Sequence, residues 1–229
     1  MTRTITEALA GNTYPGRGIV VGTTPGGAMA LGYFIMGRSV NSRNRVLVED
    51  GGAIFTRPVD MALVSDPSLI IYAALRTAGD ATVLTNGDQT DTIIDTLAAG
   101  GTFADALRTR TFEPDGPNFT PRISAIVWPG RYIISQLRND HDTTLRAFWE
   151  YEATPGIAHL IHTYSGDGNP LPAFTGEPVE IAVGDDQNAW TNDIWAALDP
   201  DNRISLMTRF IAATGEPTTR IVNRFEAQS

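Results

Sequence analysis

The segment from Arg17 to Met36 constrains the fold most. It reads Arg17-GIVVG-Gly22, then Thr23-TPGG-Gly27, then Ala28-MALGYFIM-Met36. A Pro/Gly turn between two apolar runs predicts a β-hairpin. Neither run alternates polar with apolar, so both faces of both strands must be covered. A second hairpin follows at Arg45–Glu49 and Ala53–Arg57, split by Asp50-Gly51-Gly52. The chain therefore has to stack layers on both sides of a sheet.

The remaining pattern fills those layers. A short helix or arm is predicted over 2–12, with Ile5, Ala8 and Leu9 at helical spacing. Asp66-Pro67 predicts a helix over 67–78, with Leu69, Ile70, Ala73 and Ala74 on its apolar face. A strand at 81–85 leads through Asn86-Gly87-Asp88 into helices at 91–99 and 102–109. Residues 112–121 hold three prolines in ten positions and read as irregular. Strands follow at 122–128, 131–138, 143–152, 158–164 and 179–183. A helix at 187–198 and strands at 203–212 and 218–225 close the chain. The class is α+β, with helices packed over a large or doubled antiparallel sheet, and 229 residues suit one domain with a leading arm at 1–13.

Composition removes whole classes of chemistry. The sequence has no cysteine, which excludes thiolate metal sites, catalytic cysteine and disulfides. All 17 basic residues are arginine, so Schiff-base lysine and the phosphate-loop lysine are excluded too. A net charge of -9 disfavours nucleic acid and anionic membranes as partners. No apolar run is long enough to span a bilayer, and no signal pattern opens the chain. This reads as a soluble, cytoplasmic protein.

Three segments carry candidate chemistry. Arg38, Arg43 and Arg45 fall within eight positions that contain no acid. Such a cluster suits a phosphate or carboxylate, because guanidinium donates forked, charge-assisted hydrogen bonds, though a solvated loop fits it equally. Thr85-NGDQT-Thr90 lies between a strand and a helix; plain capping by its acids competes there with Asn86 and Thr90 reading a polar ligand. Glu113 and Asp115 stand in a proline-stiffened loop as acid/base candidates, with Arg122 beside them, and a purely structural loop competes equally. His159 and His162 lie three apart in a strand and face opposite sides, which argues against a shared metal. Thr2 would head the chain after loss of Met1, but it sits on an arm rather than at a strand start.

Taken together, Tyr14-PGRGIVVG, Tyr33-FIMGRSVNSRNRV, Thr85-NGDQTD and Phe112-EPDGPNFTPRI resemble the IMP cyclohydrolase family of the archaeal type. The resemblance is best over residues 14–128. It implies a four-layered α/β/β/α sandwich like that of the N-terminal nucleophile hydrolases, without a terminal nucleophile. It implies closure of 5-formamidoimidazole-4-carboxamide ribotide (FAICAR) to IMP with loss of water, with no metal or organic cofactor, in a homo-oligomer. By motif position Arg38 and Arg45 would bind phosphate or polarise the formyl oxygen, with Arg43 ranked behind them. Glu113, then Asp115, would serve as acid/base groups, and Tyr72 as proton donor or carboxamide contact. Asn86, Asn118, Thr120 and Arg122 would orient the ligand. A non-catalytic purine-nucleotide binder on the same fold is the competing reading, and an amide hydrolase dependent on Thr2 is a third.

Overall fold

A computed structural model describes residues 2–64, 67 and 70–226. It contains two antiparallel sheets. The six-stranded sheet runs β11-β10-β1-β2-β12-β13, where β1 is Arg17–Thr23, β2 Met29–Met36, β10 Ile157–His162, β11 Val179–Ala182, β12 Arg203–Ile211 and β13 Pro217–Asn223. The seven-stranded sheet runs β3 to β9 in sequence order: Val46–Asp50, Ala53–Arg57, Ala73–Ala78, Ala81–Thr85, Arg122–Trp128, Arg131–Asp140 and Thr143–Glu152.

The two-faced apolar character of β1 and β2 has a direct structural cause. Ile19, Val21, Leu31, Tyr33 and Ile35 point at Leu47, Ile54, Leu84, Ile123 and Ala125 of the other sheet. Val20, Phe34 and Met36 point the opposite way. They meet Ile5 and Leu9 of α1 (Ile5–Leu9) and Trp190 and Ile194 of α5 (Gln187–Ala197). The outer face of the seven-stranded sheet, with Val83 and Ile126, is covered by Ile93 of α3 (Gln89–Ala98) and by Phe103 and Leu107 of α4 (Phe103–Arg108). Each such fully buried aliphatic side chain contributes about 2 kcal/mol. Apolar layers thus lie between the sheets and outside each of them.

The leading arm is docked rather than free. Thr4 caps α1 through a capping box with Glu7, and Arg3 bridges to Ile181. The segment at 37–45 carries a short helix, α2 (Val40–Arg43), capped by Ser39.

Over 70–78, the continuously described part of the helix expected at 67–78, no helix forms. Ala73–Ala78 is strand β5, paired with β4 and β6. The spacing of Ile70, Ala73 and Ala74 fits a helix face, but a short apolar run also fits a buried strand. Edge pairing on both sides decides it, helped by Thr56, whose hydroxyl donates to Ile70 O (2.6 Å) and accepts from Tyr72 N (3.1 Å). The expected cap Asp66, and Leu69, lie outside the described residues.

Candidate functional site

The site lies at one end of the space between the sheets. Arg17 opens β1, β2 ends at Met36 and leads to Arg38, Arg45 precedes β3, and the 109–121 loop enters β7. Residues at these ends line a cavity of about 520 Å³: Arg17, Arg38, Ser39, Arg45, Glu113 and Thr120 face it, with Tyr14, Tyr164 and Leu171 forming apolar walls. A hollow of about 560 Å³ beside α1 and α5 is lined by Asp185, Asp186 and Asp193 and by no arginine. Of these two, the first pairs cations with a candidate base.

Its electrostatics are unusual. Arg45 is 4% exposed, and its Nε and Nη1 find no hydrogen-bond partner. Arg17 is partly buried, and its Nε is also sealed without a partner. Burial and the neighbouring Arg17 charge push Arg45 downward from the ordinary arginine value. For Arg17 burial opposes the charge, but Glu113 and nearby phenols outweigh it and the net direction is up. Glu113 is 4% exposed. Burial raises its carboxyl above the usual range, opposed first by Arg17 and then by Arg122. A buried and a partly buried cation therefore face one buried acid. Unmet buried donors cost about 1–3 kcal/mol each, so the cluster is built to receive acceptors.

Tyr72 is not among the residues lining the cavity, but its phenol acts on both Arg17 and Arg45. Its hydroxyl meets that of Tyr33 at 2.7 Å across the gap between the sheets. Asp115 lines the cavity, but Thr120 occupies both its oxygens: the Thr120 amide donates to Oδ1 at 2.6 Å and the hydroxyl to Oδ2. Thr120 is fully buried and also meets the Tyr164 hydroxyl. Asn118 lines the cavity and accepts from Leu171 N at 2.9 Å. Arg38 is at the rim, paired with Asp167 and donating to Gly168 O at 3.1 Å, its guanidinium 5.0 Å over the Tyr14 ring.

Three nominated residues are placed elsewhere. Arg43 turns to Asn202 Oδ1 at 3.3 Å. Asn86 Oδ1 accepts from Ile123 N and Gln89, and its Nδ2 donates to Pro121 O, stitching β6 to β7. Arg122 donates to Asp88 at 2.7 Å and Gln89 at 2.6 Å, just behind Glu113. The acids of the 85–91 segment do not act as the expected caps: Asp88 precedes α3 without a side-chain cap and instead holds Arg122 and Arg110. A Cβ at Gly87 would lie 2.7 Å from both the Arg122 guanidinium and Gln89 Oε1, so a side chain there would displace this hydrogen-bonded pair.

The sequence reading missed Arg17, Tyr33 and Tyr164 as site residues. Arg17 had a signal: it is the one charge at the head of an otherwise apolar two-faced strand. Among the described residues no group of three His, Asp or Glu could hold a metal, and no helix is long and apolar enough to cross a membrane.

Fold and cavity together define an α+β protein with a recessed pocket lined by Arg17, Arg38, Arg45 and the buried Glu113. A family model described as IMP cyclohydrolase-like protein matches residues 14–216, and the chain belongs to that family. The match extends well past the 14–128 region of the sequence resemblance, in keeping with Tyr164 and Leu171 lining the pocket. The IMP cyclohydrolase of Methanopyrus kandleri is 28% identical over 196 residues, covering 78% of this chain and 98% of that protein. That of Methanothrix thermoacetophila is 31% identical over 159 residues, covering 68% and 76%. That of Methanococcus maripaludis is 32% identical over 155 residues, covering 66% and 74%.

Proposed function

We propose that this chain is an IMP cyclohydrolase of purine biosynthesis, closing FAICAR to IMP with loss of water. The observation that carries this reading is the convergence of Arg17, Arg45 and Glu113, two cations with buried, unmet N–H groups beside one buried acid. The relatives' shared name supplies the reaction.

The chemistry fits the residues. The carboxamide nitrogen attacks the formyl carbon, a C–N bond forms and the nitrogen gives up a proton. The formyl oxygen gains charge and takes a proton from Tyr72; the resulting hydroxyl takes a second proton from Glu113 and leaves as water, while the formamido nitrogen gives its own proton back to Tyr72. Both groups sit on one ring, so fixing the attack conformer supplies much of the rate. Glu113 takes the amide proton and returns one to the departing hydroxyl. Arg45 and Arg17 donate to the formyl oxygen, where a dry site makes such donors most effective. Tyr72 is the proton donor beside them. The phosphate, strongly hydrated, stays at the rim with Arg38, displacing Asp167 from it. Asp115 and Thr120 hold the loop that presents Glu113, Asn118 holds the wall at Leu171, and Arg122 steadies the Glu113 charge. Arg43 and Asn86 act on the scaffold.

The finer architecture belongs to the same reading. We take the stacked layers as a four-layered α/β/β/α sandwich of the N-terminal nucleophile hydrolase kind, formed by one domain and using no terminal nucleophile or metal. A charged nucleotide substrate places the enzyme in the cytoplasm. Exposed Val40, Met61, Leu63 and Ile71 support a homo-oligomer, which light scattering would detect.

The test is ring closure followed by ultraviolet absorbance, for the wild type and Glu113→Gln. Closure should fall about 10³-fold in the variant. Because Glu113 must be ionised to accept the proton and burial raises its pKa, wild-type kcat should climb with pH through a limb above the ordinary glutamate value of 4.5. IMP binding without closure by the wild type would instead favour the non-catalytic reading.

A further inference from the structure

Tyr33 and Tyr72 reach across the gap from different sheets, and their hydroxyls meet at 2.7 Å. Tyr33 lies mid-strand in β2 and is fully buried; Tyr72 lies just before β5 and keeps 4% of its surface. Among the described residues neither hydroxyl has another hydrogen-bond partner. The charged groups acting on Tyr33 are Arg17 and Arg45, which supply protons and accept none.

The direction of the bond follows from this. If Tyr72 donated to Tyr33, the Tyr33 proton would be left in a sealed place with no acceptor, at the cost of an unmet buried donor. If Tyr33 donates, the unmet proton is instead that of Tyr72, the less buried of the two, whose phenol acts on Arg17 and Arg45 at the pocket, where a bound substrate can bring the acceptor. Burial drives Tyr33 well above the ordinary phenol value, which keeps it a neutral donor.

We propose that Tyr33 is a positioning residue: it donates to the Tyr72 oxygen and so aims the Tyr72 proton at the substrate oxygen held by Arg17 and Arg45. This rests on the ring-closure reading above. Tyr33 itself touches no reacting atom. Its hydroxyl fixes the Tyr72 rotor, and accepting that bond makes Tyr72 a better donor through the polarisation that links hydrogen bonds in series.

The experiment is a double-mutant cycle on ring closure with Tyr33→Phe, Tyr72→Phe and the pair. Phenylalanine keeps each ring's packing. Tyr72→Phe should lower kcat about 100-fold. Tyr33→Phe should lower kcat about tenfold, the scale of one lost hydrogen bond, with KM unchanged within about twofold. On the Tyr72→Phe background, Tyr33→Phe should cost nothing further, because no proton is left to aim. Circular dichroism melting and IMP affinity check that each variant is folded. Multiplicative losses in the pair would assign Tyr33 a packing role and overturn the inference. So would an unchanged kcat in Tyr33→Phe. Absence of closure by the wild type would overturn the ring-closure reading, and this inference with it, before any variant is compared.

Discussion

Two ends of the same inter-sheet layer treat buried arginine in opposite ways. At one end Arg209, 2% exposed, has all three nitrogens engaged: Nε with Thr219 at 2.9 Å, Nη1 with Gly52 O at 2.7 Å and Nη2 with Glu49 at 2.6 Å. At the other end Arg17 and Arg45 leave three N–H-bearing atoms without partners. The residue type and the layer are alike, and Arg45 at 4% exposed lies as deep as Arg209. The difference is acceptors: the Arg209 end supplies its own, and the Arg45 end waits for a ligand to bring them. Buried charge alone does not mark a site; buried charge with unfilled hydrogen-bonding capacity does.

The contrast can be broken by substitution, and the largest effect should come from Arg45→Met. Losing the oxyanion donor should cut kcat about 10²- to 10³-fold. Removing unmet donors should leave the melting temperature unchanged or raise it by a few degrees. Coincident loss of stability and activity would mean that Arg45 is structural. Arg209→Met should do the reverse. Urea unfolding should show a loss of about 2–3 kcal/mol from its charge-assisted bonds, with kcat retained. That loss is held below the value for a fully buried pair because Glu49 is 42% exposed. The smallest effect should come from Asp167→Asn at the rim. It removes a competitor for Arg38, and KM should fall about two- to threefold, the scale of an exposed ion pair. An unchanged or higher KM would place the phosphate away from Arg38.

The scaffold was legible in the residues where local rules and tertiary packing agree. The apolar runs around the 23–27 turn gave β1 and β2 and required cover on both faces, which α1, α5 and the second sheet provide. The Ala73–Ala78 strand was not legible, because a short apolar stretch suits either period and its neighbours settle the matter. The site divides similarly. Glu113, Arg38 and Arg45 were found by residue type and motif, and all three line the cavity. Arg43 and Asn86 carry the same types in the same motifs, yet they are spent on Asn202 and on the β6–β7 junction. Which arginine keeps its donors free depends on partners distant in sequence, such as Glu49 for Arg209, and no local pattern reveals them. Arg17 was overlooked for a related reason: its role arises only when β1 brings it beside Glu113 from a loop nearly a hundred residues on.

The central claim is that the unfilled donors at the Arg45 end hold the substrate. A crystal structure of the Glu113→Gln variant with bound FAICAR tests it most directly. The formyl oxygen within hydrogen-bond distance of the unpartnered Arg45 or Arg17 nitrogens, with the carboxamide against position 113, is the result this account requires. The other end of the layer offers a rival, a cavity of about 450 Å³ beside Arg209 lined by Met29, Val127 and Ile211. FAICAR seated there, with Arg45 still unpartnered, would contradict the account.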